Sequence, residues 1–174
     1  MKKLIVIIAG LVAIAVLFLG TLYKEVDTNY LRIHIRANSN AQVDQVVKYE
    51  IKDAITEALV PYVANCNSFE DVEIMLQQNL ALVDGVANAI LAKNGFAYTA
   101  KSKLATEKFP TRKYNNFVLE EGIYDALIVE LGSAQGDNWW CVIYPPLCFT
   151  STSSGSNVVY KSRILEMIEN FFGK

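Results

Sequence analysis

Three cysteines and a single histidine are the side chains of this sequence best suited to chemistry. Cys141 and Cys148 are separated by seven positions across a Pro-Pro turn, a spacing that permits either a disulfide or two free thiols. Cys66 stands apart, and the odd count leaves at least one cysteine without a partner in the chain. A thiolate from Cys141 or Cys148, with His34 as its base, would make the protein a thiol-dependent enzyme.

Other catalytic patterns are missing from the sequence. The cysteines and the histidine supply few metal ligands, and no Cys-x-x-Cys or His-x-x-x-His spacing joins them, so we expect no metal and no cofactor. We find no Gly-x-Ser-x-Gly elbow and no phosphate-binding glycine loop. Carboxylates are plentiful but are spread over predicted solvated helix faces, which is their ordinary place.

Two segments combine aromatic, polar and cationic side chains and are candidates for contact with a partner. Residues 136–149 contain both tryptophans and two of the three cysteines. Trp139 and Trp140 are adjacent in a predicted strand, so their side chains point to opposite faces of it. Residues 109–114 form a basic, aromatic turn in which the Arg112 guanidinium could make a forked contact with a carboxylate; a solvated loop is the simpler interpretation.

These side chains must be positioned by a small set of strands and helices. Apolar and polar types alternate with period two from Leu31 to Ala37, which is typical of a half-buried strand. His34 lies between Arg32 and Arg36 on the polar face. We therefore expect His34 to face solvent or a partner.

A long amphipathic helix is predicted next. Ser39 and Gln42 have the spacing of a capping box, and Pro61 is expected to end or kink the helix. Asp44 and Lys48 are expected on the solvated face, where they would form a weak ion pair. The apolar face is predicted to carry Val43, Val47, Ile51, Ala54 and Ala58.

A second long helix is predicted to follow a short connector, so the two helices should pack as an antiparallel pair. Ser68 and Asp71 form the capping box at its start, and Gly95 is a suitable residue to stop it. The apolar positions that define it are Phe69, Val72, Leu76, Leu80, Val83, Ala87 and Ile90.

Beyond Gly95 the pattern changes to strands. Residues 96–108, 123–131 and 139–144 are predicted strands that favour an antiparallel meander. A linker at 151–157 precedes a short amphipathic helix at 158–172. The expected fold class is α+β: an antiparallel sheet of about four strands, two long antiparallel helices on one face, and a C-terminal helix.

The N-terminal segment is predicted to direct the chain out of the cytoplasm. Lys2 and Lys3 precede an uncharged run from Leu4 to Tyr23, which is about the length that spans hydrocarbon. Residues 1–23 are therefore predicted to be a signal peptide or an N-terminal membrane anchor, and we expect residues 4–23 to contact the membrane if the segment is uncleaved. Residues 24–30 would be a linker to a single extracytoplasmic domain at 31–174. The net charge of the whole chain is −2, which argues against nucleic-acid binding.

Three stretches, in this order, resemble the stage II sporulation protein R family of endospore-forming bacteria. The first is His-Ile-Arg-Ala-Asn-Ser at 34–39, and the second is Phe-Pro-Thr-Arg-Lys-Tyr at 109–114. The third joins Asn-Trp-Trp-Cys at 138–141 to Pro-Pro-Leu-Cys at 145–148, and it is the most specific.

This resemblance implies an intercellular signal rather than a catalyst. Family members are exported from the forespore into the space between forespore and mother cell. There they activate a membrane-embedded aspartic protease that processes the mother-cell sigma factor E precursor. Motif membership and polarity suggest these residues for the contact with that protease: His34, Asn38, Arg112, Tyr114, Asn138, Trp139 and Trp140.

Overall fold

The computed structural model describes residues 10, 27, 29–114, 117–150 and 158–173, with the side chains of the last helix described from residue 164. The predicted export segment at 4–23 and the predicted linker at 151–157 lie outside the described residues. The helices are α1 (Gln42–Val63), α2 (Phe69–Gln78), α3 (Leu80–Lys93) and α4 (Val158–Phe172). The strands are β1 (Leu31–Arg36), β2 (Ala100–Phe109), β3 (Arg112–Tyr114), β4 (Phe117–Leu119), β5 (Gly122–Leu131) and β6 (Asn138–Tyr144).

Four strands form one sheet in the order β2-β5-β1-β6, which confirms the α+β class. Strand β1 pairs in parallel with β5 and antiparallel with β6, whereas β2 and β5 pair antiparallel. The fully antiparallel meander was therefore wrong, because β1 is inserted between β5 and β6. Residues Leu31 to Ile35 are all buried, so β1 takes the central position where both of its faces are covered.

One face of the sheet, here called the inner face, packs against α1, α2 and α3. Alternate residues of the central strands point into this core, including Leu31, Ile33 and Ile35 of β1, none more than 3% exposed. They meet helix residues such as Ile51 and Leu76, which are fully buried. This main core fixes the orientation of β1 and thereby decides which of its side chains lie on the opposite, outer face.

The start of α1 differs from the prediction. The helix begins at Gln42, and the residue before it makes no side-chain cap. Ser39 instead donates its hydroxyl to Asp44 at 2.5 Å, because the chain is still in the turn that leaves β1. The rotation of the helix differs too: Val43 is 63% exposed, whereas Asp44 and Lys48 are buried.

The remaining helix predictions are partly right. Pro61 lies inside the last turn of α1, which runs to Val63 without ending near Val60. The predicted second helix is broken at Asn79 into α2 and α3. The Asn79 side-chain amide donates to the Met75 carbonyl at 2.7 Å. Ser68 caps α2 as predicted, accepting from the Asp71 N–H at 3.1 Å.

A two-stranded hairpin, β3–β4, was not predicted, and it covers part of the outer face. Beneath it lies a smaller apolar cluster that includes Phe109, Leu119 and Tyr124, each at most 4% exposed. Tyr114 of the hairpin packs against this cluster. The part of the outer face beneath the hairpin is consequently a second packed layer and not a solvated surface.

Among the described helices, none is by itself long and apolar enough to cross a membrane. The pair α2 and α3 passes that test jointly on length and composition, with a bend of 58° between the two helices.

Candidate functional site

The outer face brings together four of the seven residues predicted to contact a partner. His34 of β1 lies directly opposite Trp140 of β6, so both side chains project from the same face. Arg112 and Tyr114 reach this face from β3, which starts soon after β2 ends. The topology therefore joins residues that are far apart in the sequence.

Arg112, Trp140 and His34 form a layered arrangement, called here the Arg112 stack. The guanidinium carbon of Arg112 lies 4.1 Å from the centre of the Trp140 ring, which in turn stacks on the His34 ring at 5.2 Å and 28°. His34 Nδ1 lies 2.8 Å from a carboxylate oxygen of Glu107. The stack thus contacts β2 through His34 and Glu107, and at its other end it presents the cationic guanidinium of Arg112.

His34 is only 5% exposed, so the expectation that it faces solvent was wrong. The rings of Trp140 and Phe109 cover it, the latter at 5.8 Å edge to face. Its second ring nitrogen, Nε2, is buried without a hydrogen-bond partner in the described part of the protein. His34 supports the Trp140 ring in this arrangement, and its contact with a partner stays a prediction.

Arg32 is a second cation under the hairpin, and the sequence analysis did not select it. Its side chain is fully buried, with the guanidinium carbon 4.2 Å from the Phe109 ring centre and 4.9 Å from that of Tyr124. Its Nη2 donates to the Tyr114 hydroxyl at 2.8 Å. Burial lowers the pKa of Arg32, and the nearby positive charge of Arg112 lowers it further.

Charge on the remainder of the outer face is largely compensated. Arg36 pairs with Glu107, and also with Glu130 at 2.9 Å. Lys103 adds a contact to Glu130 at 3.2 Å. These pairs join β1, β2 and β5 across the sheet and leave little net charge at that end.

Arg112 differs from these cations because no ion pair to it occurs among the described residues. Its side chain is half-buried against Trp140, so the aromatic ring holds the guanidinium in place while part of it meets solvent. A pre-positioned, unpaired guanidinium is suited to forked contacts with a carboxylate. The exposed part of the stack is therefore a candidate docking surface for an acidic group.

Comparison with known proteins agrees with the motifs on this face. The family model described as stage II sporulation protein R matches residues 27–154, which include every strand and helix except α4. The chain belongs to the stage II sporulation protein R family. Membership of this family supports a role in sporulation.

A curated relative, stage II sporulation protein R of Bacillus subtilis (strain 168), is 34% identical over 128 residues. The alignment covers 74% of this chain but only 57% of the relative, so the chain spans little more than half of that protein's length. No solved structure matches the chain.

The other three predicted contact residues of this stage II sporulation protein R family member lie outside the stack. Trp139 points to the inner face, where it packs against the main core with Lys52 5.7 Å above its ring. Asn138 starts β6 opposite Arg36. Asn38 lies in the turn after β1, and its side-chain oxygen accepts from the Ser133 N–H at 2.9 Å.

Asn38 belongs to a polar network centred on Asp44, which sequence reasoning placed on the helix surface. The Asp44 carboxylate accepts hydrogen bonds from Asn38 at 2.9 Å, from Ser39 at 2.5 Å and from the Tyr98 hydroxyl at 2.6 Å. Burial by itself raises the pKa of Asp44, but these hydrogen bonds outweigh it and the pKa is lowered. The network ties the β1–α1 turn to the loop before β2.

Lys48, predicted to pair with Asp44 on the surface, is instead fully enclosed beside this network. Its ammonium donates to the Gln45 side chain at 2.7 Å and to the Asp137 carbonyl at 2.9 Å. Burial lowers the pKa of Lys48, partly offset by the charge of Asp137. The turn that precedes β6 is thus held by α1, which positions Trp139 and Trp140.

Cys141 and Cys148 form a disulfide with a Cα–Cα distance of 6.0 Å. It ties β6 to a turn of 3-10 helix at Leu147–Phe149. Cys141 projects from the inner face beside Ile33, whereas His34 projects from the outer face. The sheet therefore separates the two groups that a Cys141–His34 pair would have to join.

The third cysteine is buried and free. Burial raises the pKa of the Cys66 thiol to about 11, so almost none of it is thiolate at neutral pH. In the described part of the chain, no group of three or more His, Cys, Asp or Glu side chains could hold a metal ion.

Proposed function

We propose that this protein is an exported sporulation signal that activates a membrane-embedded aspartic protease, which then processes the mother-cell sigma factor E precursor. It acts by protein–protein contact and not by catalysis. The family membership supports the sporulation role, and the resemblance of the motifs supports the choice of partner. The export segment at 1–23, cleaved or retained as an anchor, delivers a single domain to the space between forespore and mother cell.

The observation that carries the proposal is the Arg112 stack. The Arg112 guanidinium carbon lies 4.1 Å from the centre of the Trp140 ring, and Arg112 has no acidic partner among the described residues. An arginine held by an aromatic ring loses little side-chain freedom when a carboxylate binds it. Such a residue can therefore contribute a large share of the binding free energy of an interface. We expect an acidic side chain on the external face of the protease to bind here, with Tyr114 and Trp140 supplying apolar contact.

A thiol-dependent enzyme is the competing function, and the geometry gives it no support. Cys141 and Cys148 are bonded to each other, and the sheet lies between Cys141 and His34. Cys66 is buried, with a pKa far above neutrality. A nucleophilic cysteine needs an adjacent base and an accessible thiolate, and the described residues provide neither.

Gene deletion with complementation tests the proposed function. The gene for this protein is deleted in the sporulating organism, and processing of the sigma factor E precursor is followed by immunoblot. We expect processing to stop, to return with the wild-type gene, and to return with a Cys141→Ser/Cys148→Ser double variant. Processing that continues without the protein would refute the signalling role, and failure of a stably produced double variant alone would revive the thiol enzyme.

Crosslinking tests the surface separately from the function. A photoreactive amino acid placed at position 112 or 140 should crosslink to the protease in sporulating cells. The control position is Lys113, which neighbours Arg112 but is exposed and lies on the other face of β3. Efficient crosslinks from 113 with none from 112 or 140 would place the contact elsewhere while leaving the signalling role intact.

A further inference from the structure

Strand β2 is an edge strand that, within the described residues, pairs with β5 on one side only. Side chains of α3 occupy the first part of its other side. Asn88 accepts from the Ala100 N–H at 2.8 Å and donates to the Ala100 carbonyl at 3.1 Å, and Asp84 accepts from the Ser102 N–H at 2.6 Å. These bonds replace those of a neighbouring strand, so the edge is satisfied as far as the Ser102 N–H.

None of the described residues covers the second half of this edge in that way. The Thr99 carbonyl accepts from the Gly132 N–H at 2.9 Å, so odd-numbered residues bond to β5 and even-numbered ones point outward. The outward N–H and C=O groups of Leu104, Thr106 and Lys108 bond to no other described residue. They form a row of donors and acceptors along about 14 Å of strand.

A cavity of about 500 Å³ lies beside this open edge, between α2 and the inner face of the sheet. Leu104 and Thr106 line it from β2, and Asp125 lines it from β5. Helix α2 contributes Glu73 and Ile74, of which Ile74 is 50% exposed. The cavity thus offers apolar surface together with two carboxylates.

We propose that the open half of the β2 edge binds an extended segment of a partner protein by strand addition. Main-chain groups of that segment would pair with Leu104, Thr106 and Lys108, and every second side chain would enter the cavity. Apolar side chains suit Ile74, and lysine or arginine suits Glu73. The occupant is therefore a strand-forming segment with apolar and basic residues on one face.

A second copy of this chain is a poorer occupant of the same edge. Strand β2 carries Lys101, Lys103 and Lys108, and its one glutamate, Glu107, is already paired with Arg36, so edge-to-edge pairing of two copies would bring an excess of positive charge to the seam. The β2 edge is also at the opposite side of the sheet from β6, which carries Trp140. Strand addition is therefore separate from the Arg112 stack and does not depend on the partner of that surface.

Binding of a designed peptide to the full chain in zwitterionic detergent tests the proposal. The probe is acetyl-Thr-Val-Thr-Lys-Thr-Val-Thr-Lys-Thr-amide, and the control peptide has glutamate in place of both lysines. We expect saturable binding of the probe with a dissociation constant below about 1 mM, weaker binding of the control, and NMR shifts at the amides of Leu104, Thr106 and Lys108. No saturable binding, or shifts confined to other residues, would overturn the proposal.

Two pairs of variants make the test specific. Thr106→Pro removes an outward N–H at an edge position that tolerates proline, whereas Thr106→Val loses the same hydroxyl but keeps the N–H. We expect about tenfold weaker binding for the proline variant and less than about twofold change for the valine variant. If Thr106→Pro does not fold, Glu73→Gln should still weaken binding about threefold relative to Glu70→Gln, which lies outside the cavity.

The same variants also show whether a second copy of this chain, and not a partner protein, occupies the β2 edge. If the chain without peptide is a dimer by sedimentation at the concentrations used, and Thr106→Pro alone makes it monomeric, the edge belongs to a second copy and the proposal is wrong. Equal peptide binding by the proline and valine variants would also refute it, because strand addition requires the Thr106 N–H.

Discussion

Replacing Asp44 by asparagine tests whether the buried polar network stabilises the fold. The carboxylate accepts hydrogen bonds of 2.5–2.9 Å from Asn38, Ser39 and Tyr98. An asparagine keeps one acceptor oxygen and turns an NH₂ group towards a donor, so one or two of these bonds are lost. Since a bond to a charged group contributes about 1.5–3 kcal/mol, we expect a loss of roughly 2–4 kcal/mol, or about 10 °C in Tm.

The effect should depend on pH with a definite sign. The pKa of Asp44 is lower in the folded protein, so its contribution is complete above the unfolded pKa of about 4 and is lost as pH falls through the folded pKa. Thermal unfolding by circular dichroism should therefore show a large difference between wild type and Asp44→Asn at pH 7 that shrinks below about pH 4. The control is Asp53→Asn on the same helix, a site 74% exposed, where we expect less than about 0.5 kcal/mol.

A loss for Asp44→Asn no larger than that of the control, or one that grows as the pH is lowered, would refute the stabilising role of the network. Either result would mean that the Asp44 carboxylate is not preferentially ionised in the folded state.

Two further predictions concern the disulfide and the glycines. The Cys141→Ser/Cys148→Ser variant should lose about 2.5 kcal/mol of unfolding free energy in urea, the value for closing so short a loop. Reductant should lower the unfolding free energy of the wild type by the same amount and leave that of the variant unchanged. Equal urea midpoints for the wild type and the variant would contradict this. Gly132→Ala should cost more than about 1 kcal/mol of stability, since Gly132 has φ +55° and its added methyl would meet Asn38. Gly85→Ala, in open space on α3, should stabilise the protein by about 0.5–1 kcal/mol. A higher Tm for Gly132→Ala than for Gly85→Ala would be the contrary outcome.

Local patterns predicted the elements well but not what covers them. The alternation from Leu31 to Ala37 correctly indicated a strand, yet it could not tell that β1 is central in the sheet. Both faces of a central strand are buried, so His34 lies under Phe109 and Trp140. Which strand is central depends on pairing between distant segments, and neither spacing nor composition encodes that directly.

Helix α1 shows a second limit of pattern reasoning. Its apolar residues gave the right helix, but Val43 is exposed while Asp44 is buried, because a tertiary network satisfies that carboxylate. Tyr98, its partner, is 54 positions away, so no local pattern could indicate the bond. A charged residue near a helix start was assigned to the surface on its average behaviour alone.

The candidate site was predicted in part. Arg112 and Trp140 were selected as partner-contact residues, and the structure places them in direct contact, while the docking role itself stays a prediction. Trp139 was selected with its neighbour although strand geometry puts the two on opposite faces; only the structure shows that Trp139 takes the core side. Arg32 was missed because its partners come from β2, β3 and β5.

The most direct test of the account is sigma factor E precursor processing in cells that produce Arg112→Gln. At equal protein levels, we expect processing to fall more than tenfold with Arg112→Gln. Arg112→Lys should restore processing incompletely, because lysine cannot make the forked contact of a guanidinium with a carboxylate. The control Lys113→Gln should leave processing unchanged. Normal processing with Arg112→Gln would contradict the docking role of the Arg112 stack.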